Sequence, residues 1–532
     1  MASKESPEKA EFAEPMSSEK GTSYGSLTAL AQAAATDHAL TPMQAMRTSW
    51  RTLLWSLFVC IGPLSWGFDA QVGSSLLSIP VFRQDFGYME DNQAILTAPW
   101  QSAFMSANAI GGMFGGLALG YVSDKLGRRG AVAVSSVISI GAVLIQFFTP
   151  SHVNGMFLAG KLINGFGLGM LVACASGYSA EVSPLALRGV TTATVNLGIS
   201  VGRLLSNCVI RSTGNRTDAY AYRIPLALQW IFPVLLLVGL PFAPESPWWL
   251  VRNMRKEDAE QVLAKLGGCP LGSDAKLQVQ QIQETIELED SYAATATYMD
   301  CFRGVNRTRT IVAMMVFVLH VCAGVNFVWG YSSYFFELAG FADRSAFNLS
   351  IGLTAVGVFG NLLAFYILDR FGRRSIFNWG LMACTVILLL IGFVWLDNTN
   401  PTAKWAVATL TIIYTFIFQT SFGPIGYVIF AEVSSAKLRS KTVGIATWTD
   451  SLCSMVMNIV LPYLVNPDEA NLGGYLGFLF GGLALAGTVW AWLFIPETKN
   501  RTVAELDLLF EKKVPAKDFA THKLHDTDYC EL

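Results

Sequence analysis

The sequence predicts an all-α membrane protein of twelve transmembrane helices in two homologous six-helix bundles, with both termini cytoplasmic. Three observations predict it. The first is composition: of 532 residues, 52% are hydrophobic and only 14% charged, with a mean hydropathy of +0.42, where a soluble domain carries about a quarter charged residues. The second is an internal repeat. The third is the distribution of Lys and Arg along the chain.

The repeat has three marks in the same order. Asp124-Lys-Leu-Gly127-Arg128-Arg129 returns as Asp369-Arg-Phe-Gly372-Arg373-Arg374, each directly after a long apolar run. Glu181, with Arg188 seven residues on, returns as Glu432 with Arg439; Pro244-Glu245-Ser246 returns as Pro496-Glu497-Thr498. Asp124 lies 121 residues before Glu245, and Asp369 lies 128 before Glu497. Such a repeat reads as two halves fused in parallel.

Apolar stretches near the ~20 residues that cross hydrocarbon occur close to 53–75, 98–122, 130–149, 154–176, 190–210 and 224–243 in the first half. In the second they lie close to 311–337, 346–368, 375–396, 405–430, 442–464 and 472–495. With the N-terminus inside, 29 of the 37 Lys and Arg fall on the inner side, the bias that cytoplasmic loops retain. Residues 1–46 read as a disordered cytoplasmic tail without the apolar core of a cleavable signal. An N-terminal bundle over 47–243, a cytoplasmic linker over 244–310, a C-terminal bundle over 311–495 and a tail over 496–532 complete the expected division. Within the linker, 254–266 and 274–288 have the pattern of short amphipathic helices at the membrane surface.

Chemistry of other kinds finds no foothold. The nine cysteines lack metal-ligand spacing, and neither a phosphate loop nor a His/Glu metal motif is present. No catalytic residue, cofactor or metal is therefore expected. Nothing points to nucleic acid.

Polar residues inside apolar spans are expensive and mark a path or a site. The candidates are Asp69, Lys161, Asn196, Arg203, His320, Asn326, Tyr331, Tyr427 and Asp450. Two cations and two carboxylates allow the buried charge to cancel as Asp69 with Lys161 and Arg203 with Asp450. Asp69, Lys161 and His320 are the candidates for proton coupling; Asn196, His320, Asn326, Tyr331, Tyr427 and Asp450 are those for substrate binding, because amides, hydroxyls and aromatic faces suit a hydroxylated ligand. At the inner face, Arg128 and Arg129 are expected to pair with Glu181 and Glu245, and Arg373 and Arg374 with Glu432 and Glu497. These pairs, with Asp124, Arg188, Asp369 and Arg439, would form a reversible latch between the bundles. Gly127 and Gly372 would allow tight turns. Of the sequons, Asn215 and Asn348 fall on the outer side and are the candidates for glycosylation; Asn306 and Asn500 fall inside.

The ordered set of motifs, with Gly423-Pro424 before Glu432 and Pro496-Glu-Thr-Lys499, resembles the sugar porter family of the major facilitator superfamily over roughly residues 50–515. Ala221-Tyr-Arg-Ile-Pro-Leu-Ala-Leu-Gln-Trp230 and Leu438-Arg-Ser-Lys-Thr442 resemble the fungal α-glucoside (maltose-type) permeases in particular. The resemblance implies a cavity lined by helices one, four, seven and ten, and a monomer that moves a sugar or sugar-sized hydroxylated compound, coupled to protons, across the plasma membrane. Export of a small fungal metabolite, a sugar sensor on the same fold, and an internal membrane are the other readings. Departures from the family fall at the cavity. His320 and Val321 stand where many members carry a Gln pair, Asn196 where a Gln is common, and Tyr427 where a Trp is common. Trp66, Gly112 and Thr447 replace charged residues of the α-glucoside permeases.

Overall fold

A backbone in hydrocarbon has to satisfy its own hydrogen bonds, and a continuous apolar segment does so as an α-helix. The computed structural model follows that rule in nearly every element. It describes residues 49–90, 93–183, 185–214, 216–266, 273–295, 297–330, 336, 343–397, 400–435, 438–466, 469–499 and 503–519.

The first span is α1 (Trp50–Val59) running into α2 (Ile61–Ser75). A short α3 (Pro80–Phe86) and a small hairpin, β1 (Tyr88–Glu90) with β2 (Gln93–Ile95), lead into α4 (Ala98–Phe147). That 50-residue helix is two helices joined at Gly127, whose φ of 76° and ψ of 178° break the helical geometry. Then come α5 (Asn154–Val182), α6 (Leu185–Thr213), α7 (Tyr220–Leu228) and α8 (Ile231–Gly239). The linker holds α9 (Pro247–Arg252), α10 (Lys256–Leu266) and α11 (Ser273–Thr295). The second half comprises α12 (Gly304–Cys322), α13 (Val325–Gly330), α14 (Asp343–Arg370), α15 (Arg373–Trp395), α16 (Pro401–Thr420), α17 (Phe422–Val433), α18 (Arg439–Val465), α19 (Leu476–Phe494) and, past the last span, α20 (Val503–Glu511).

Among the described residues, ten helical stretches are long and apolar enough to cross a membrane. The long α4 contains two of the expected spans. The 29-residue α6 is not among the ten, because Arg188, Asn196, Arg203, Asn207 and Arg211 lower its hydropathy. Apolar side chains cover the outside of the bundle, among them Leu117 and Phe242, more than two-thirds exposed. In water that surface would aggregate; in lipid it is the contact face.

Among the described residues, two spans are interrupted by non-helical backbone angles. Gly324, with φ of +78°, separates α12 from α13, and a Cβ there would meet the Phe480 ring at 3.0 Å. Ser421, at φ −119° and ψ −108°, separates α16 from α17. The seventh expected span also begins earlier than its apolar run: α12 starts at Gly304 and carries Arg307 and Arg309 in its first turns. Hydropathy detects the hydrocarbon-crossing part of a helix, not the turns that extend beyond it.

Neighbouring helices pair as α2 with α6, α4 with α5, α15 with α19 and α14 with α16. Between the halves, α6 packs on α14 and α18 on α4. Three contacts across this seam lie at the end opposite Gly127 and Gly372. Ser102 donates to the Ile459 carbonyl at 2.8 Å, Asn207 to the Ser350 carbonyl at 3.1 Å, and Arg211 to Asn348 Oδ1 at 2.6 Å. The same end is roofed by α3, whose Phe82 and Phe86 pack edge-on against Tyr222. The Tyr222 hydroxyl donates to Asp85 at 2.8 Å. Aromatic pairs of this kind contribute about 0.5–1.5 kcal/mol each beyond burial.

Candidate functional site

The deepest charged group is on α2. Asp69 is fully buried; Lys161 Nζ on α5 lies 2.9 Å from its Oδ1, and Asn108 on α4 donates to its Oδ2 at 2.9 Å. Three helices thus meet on one carboxylate. Space for the ammonium comes from Gly73, where a Cβ would approach Lys161 Nζ to 2.9 Å. Removing one member of such a pair strands a charge in low dielectric and costs about 3–5 kcal/mol. Asn108 is absent from the sequence-derived candidates, although an Asn inside an apolar span is a signal of the same kind.

The second expected pair does not form. Arg203 on α6 lies with its guanidinium 4.2 Å over the Trp329 ring of α13, and among the described residues no carboxylate pairs with it. Asp450 is likewise without an ion-pair partner there. Tyr427 lies within electrostatic range of both groups, so the three share one region without a direct Arg203–Asp450 contact. The correction has a physical reason: the planar, weakly hydrated guanidinium stacks on an indole face that helix packing brings beside it.

Polar groups surround Arg203. Ser200 Oγ accepts from Asn361 of α14 and from Gln419 of α16, each at 3.3 Å, and donates to the Asn196 carbonyl at 3.1 Å. Ser200, Arg203, Trp329, Thr354 and Gln419 line a small cavity where α6, α13, α14 and α16 meet. Asn326 on α13 reaches the Ser454 carbonyl of α18 at 3.5 Å. Tyr427 is 48% exposed, its ring edge-on to Phe317. Tyr331 lies outside the described residues.

His320 is placed differently from the other candidates. Its Nε2 lies 2.9 Å from the Phe422 carbonyl, which only accepts, so Nε2 carries the proton. The rings of Phe317, Phe418 and Phe422 pack edge-on around it, and Gly426 makes room for it. The ring is 5% exposed, and its Nε2 contact joins α12 to α17; the sequence-based reading had it lining the path.

At two of the replaced family positions, Trp66 and Gly112 fit each other: a Cβ on Gly112 would meet the indole at 2.8 Å. Thr447 is exposed and donates to the Val443 carbonyl of its own helix at 3.0 Å.

The repeated motifs build the same cluster twice. Arg128 Nη2 lies 2.6 Å from Glu181 Oε1, Ser246 Oγ donates to Glu181 Oε2 at 2.5 Å, and the Arg128 backbone N–H donates to Glu245 at 2.9 Å. In the second half Arg373 Nη2 lies 3.4 Å from Glu432 Oε1, Thr498 Oγ1 donates to Glu432 Oε2 at 2.5 Å, and the Arg373 N–H donates to Glu497 at 2.8 Å. Both ion pairs close within one half; neither joins the two bundles in this conformation. Two pairings need correction. The Arg129 guanidinium donates to the Pro241 carbonyl, its backbone N–H alone reaching Glu245, and the Arg374 guanidinium donates to the carbonyls of Trp492 and Ala516. Helix-end carbonyls without intrahelical donors attract those side chains.

Gly127 is a glycine for two reasons, its positive φ and the Glu245 carboxylate packed where a Cβ would be. Gly372 has an ordinary φ of −69° and is needed only because Glu497 packs against it. Burial pushes the Glu245 carboxyl above its ordinary range, opposed by the N–H groups of Ser246, Arg128 and Arg129. Asp124 is exposed, and its carbonyl accepts from the Trp249 indole at 3.1 Å. The side chains of Arg188, Asp369 and Arg439 lie outside the described residues. Among the sequons, Asn348 is exposed and accepts from Arg211, Asn306 sits in the first turn of α12, and Asn215 and Asn500 are outside the described residues.

The family profile described as "Sugar (and other) transporter" matches residues 55–510. The general alpha-glucoside permease of Saccharomyces cerevisiae is 31% identical over 492 residues, covering 91% of this chain and 79% of its own length. A maltose permease of the same yeast is 30% identical with the same coverage. Among solved structures, the inward-open xylose transporter XylE from E. coli aligns with a TM-score of 0.70 at 23% identity, over 86% of this chain and 99% of XylE. The proton:xylose symporter XylE bound to 6-bromo-6-deoxy-D-glucose aligns at 0.69, over 87% and 100%. The chain therefore belongs to the sugar transporter family of the major facilitator superfamily, as a multi-pass membrane protein.

Proposed function

We propose that this protein is a proton-coupled transporter of a sugar or sugar-sized hydroxylated compound, working by alternating access at the plasma membrane. The observation that carries the reading is the buried Asp69–Lys161 pair with its Asn108 donor. A proton arriving on Asp69 cancels the attraction to Lys161 and loosens α2 from α5; loss of the proton restores it. That couples protonation to helix position, the minimum that symport needs. Arg203, Ser200, Asn326, Gln419, Tyr427 and Asp450 bind the substrate in this reading.

The contacts between halves run from the middle of α6, at Ser200 and Arg203, to the end away from the Arg128 and Arg373 clusters, which supports reading the conformation as closed outside and open inside, with both termini cytoplasmic. The two bundles are the rocking bodies, and each charged cluster keeps one set of helix ends rigid. Uptake of radiolabelled maltose and glucose by yeast lacking its own hexose and maltose carriers, with and without a protonophore, tests the proposal. Uptake that a protonophore abolishes is expected; full accumulation in its presence would exclude proton coupling.

A further inference from the structure

A second cavity lies away from α6, at the end of the C-terminal half that carries the Arg373 cluster. Its volume is 580 Å³, enough for a small ligand. The start of α12, the segment leading into α18 and the end of α20 form its walls, with Arg303, Asn306, Arg309, Ser435 and Glu511 among the lining residues. Gly304 opens directly onto this space: a Cβ there would meet nothing within 4 Å.

Positive charge converges on the cavity from three sources. Arg309 is 4% exposed, with its guanidinium 4.5 Å over the Phe510 ring of α20. That side chain has further contacts, while its Nε and Nη2 are buried donors that make no hydrogen bond. Arg303 is mostly in solvent, its side chain 74% exposed, and its Nη1 lies 3.8 Å from Asp300. The third source is the N-terminus of α12, a 19-residue helix whose cap residue supplies no side-chain acceptor. The first N–H groups of a helix lack intrahelical acceptors and carry the positive end of its dipole, so an anion seated there meets donors already in place.

Two carboxylates line the same cavity, Asp300 and Glu511. Asp300 closes the capping box of the turn before α12: its Oδ2 accepts from the Thr297 N–H at 2.7 Å and from the Thr297 hydroxyl at 2.8 Å. Glu511 is exposed to water, which screens it, whereas the buried Arg309 is screened far less. The balance favours an anion, and guanidinium edges suit phosphate oxygens in particular.

We propose that this cavity binds a phosphate monoester, its oxygens taken by Arg303, Arg309 and the first N–H groups of α12. The phosphate comes from a soluble metabolite or from a lipid headgroup; Tyr298, Met299 and Phe302, close to Arg303 in the chain, expose apolar surface of the kind that enters a lipid interface. Bound there, it joins α12, the segment leading into α18 and α20, three parts of one half.

Two arms of one experiment distinguish the sources. In the first, the full-length protein in phosphatidylcholine nanodiscs is titrated calorimetrically with inorganic phosphate and with D-glucose 6-phosphate, D-glucose serving as the uncharged control. In the second, native mass spectrometry reads the phosphatidic acid retained by protein purified from vesicles of phosphatidic acid and phosphatidylcholine. Binding of the phosphates but not of D-glucose at this site is the result for a metabolite, and selective retention of phosphatidic acid is the result for a lipid; either supports the proposal. In whichever arm is positive, Arg309→Gln should weaken binding about tenfold or more. Arg303→Gln, at an exposed position that folding does not depend on, should weaken it about threefold. No binding in either arm would overturn the proposal. Binding that neither variant weakens would overturn it as well, by placing the phosphate elsewhere on the protein.

Discussion

Asp69 and Lys161 stabilise each other only as a pair, and this makes their energetics separable from their role in transport. Lys161→Met alone leaves a carboxylate buried, with a stability loss of about 3 kcal/mol or more. Asp69→Asn combined with Lys161→Met removes both charges and is expected to recover most of that loss in thermal unfolding in detergent; a double variant as unstable as the single one would show that Lys161 acts through packing. The two motif glycines make a second contrast. Gly127→Ala meets both a positive φ and the Glu245 carboxylate, whereas Gly372→Ala meets only Glu497. The first is expected to be the more damaging by about 1–3 kcal/mol, the cost of holding an L side chain at a positive φ with extended ψ, a region essentially only glycine adopts, read from the difference in melting temperature. The sequence gives no hint of this asymmetry, because the two loops read alike and only the backbone distinguishes them.

Among the elements, the helix-end clusters are small enough to test by titration. Burial raises the Glu245 carboxyl above its unfolded value, so its contribution favours the folded state below the unfolded pKa and is lost as pH rises through the folded one. Glu245→Gln keeps an acceptor for the N–H groups of Arg128, Arg129 and Ser246 and removes that dependence. Its melting temperature is expected to fall less than that of the wild type as pH rises above the ordinary range of a Glu carboxyl; a parallel decline would assign the dependence to other groups. Glu245→Ala leaves those donors without their acceptor and is expected to lose about 1–3 kcal/mol. The partners of Glu181 and Glu432 were legible from the repeat, since matched charges recur in matched order. Those of Arg129 and Arg374 were not, because backbone carbonyls at helix ends leave no mark in the residue letters. The breaks at Gly324 and Ser421 have the same cause: a broken span is as apolar as an intact one.

For the whole molecule, an all-helical membrane fold with long apolar spans was readable, because lipid imposes length and periodicity on every span. The distribution of buried charge was only half readable. Asp69 finds Lys161 as composition requires, while Arg203 turns to Trp329, a choice fixed by how α6 meets α13. Alternating access also makes a demand on the seam between the halves. Arg211→Cys with Asn348→Cys, joined by a short bifunctional reagent, is expected to lower transport at least tenfold and to regain it when a cleavable linker is reduced; undiminished transport while cross-linked would mean that this end does not open. The central claim is that protons drive accumulation through Asp69, and purified protein in liposomes with an imposed pH gradient tests it most directly. A transported sugar should accumulate with acid outside in the wild type; Asp69→Asn should still exchange it across the membrane but not concentrate it, and Lys161→Arg should concentrate it with a displaced pH optimum. Accumulation by Asp69→Asn equal to that of the wild type, or wild-type accumulation unaffected by collapsing the gradient, would contradict the account.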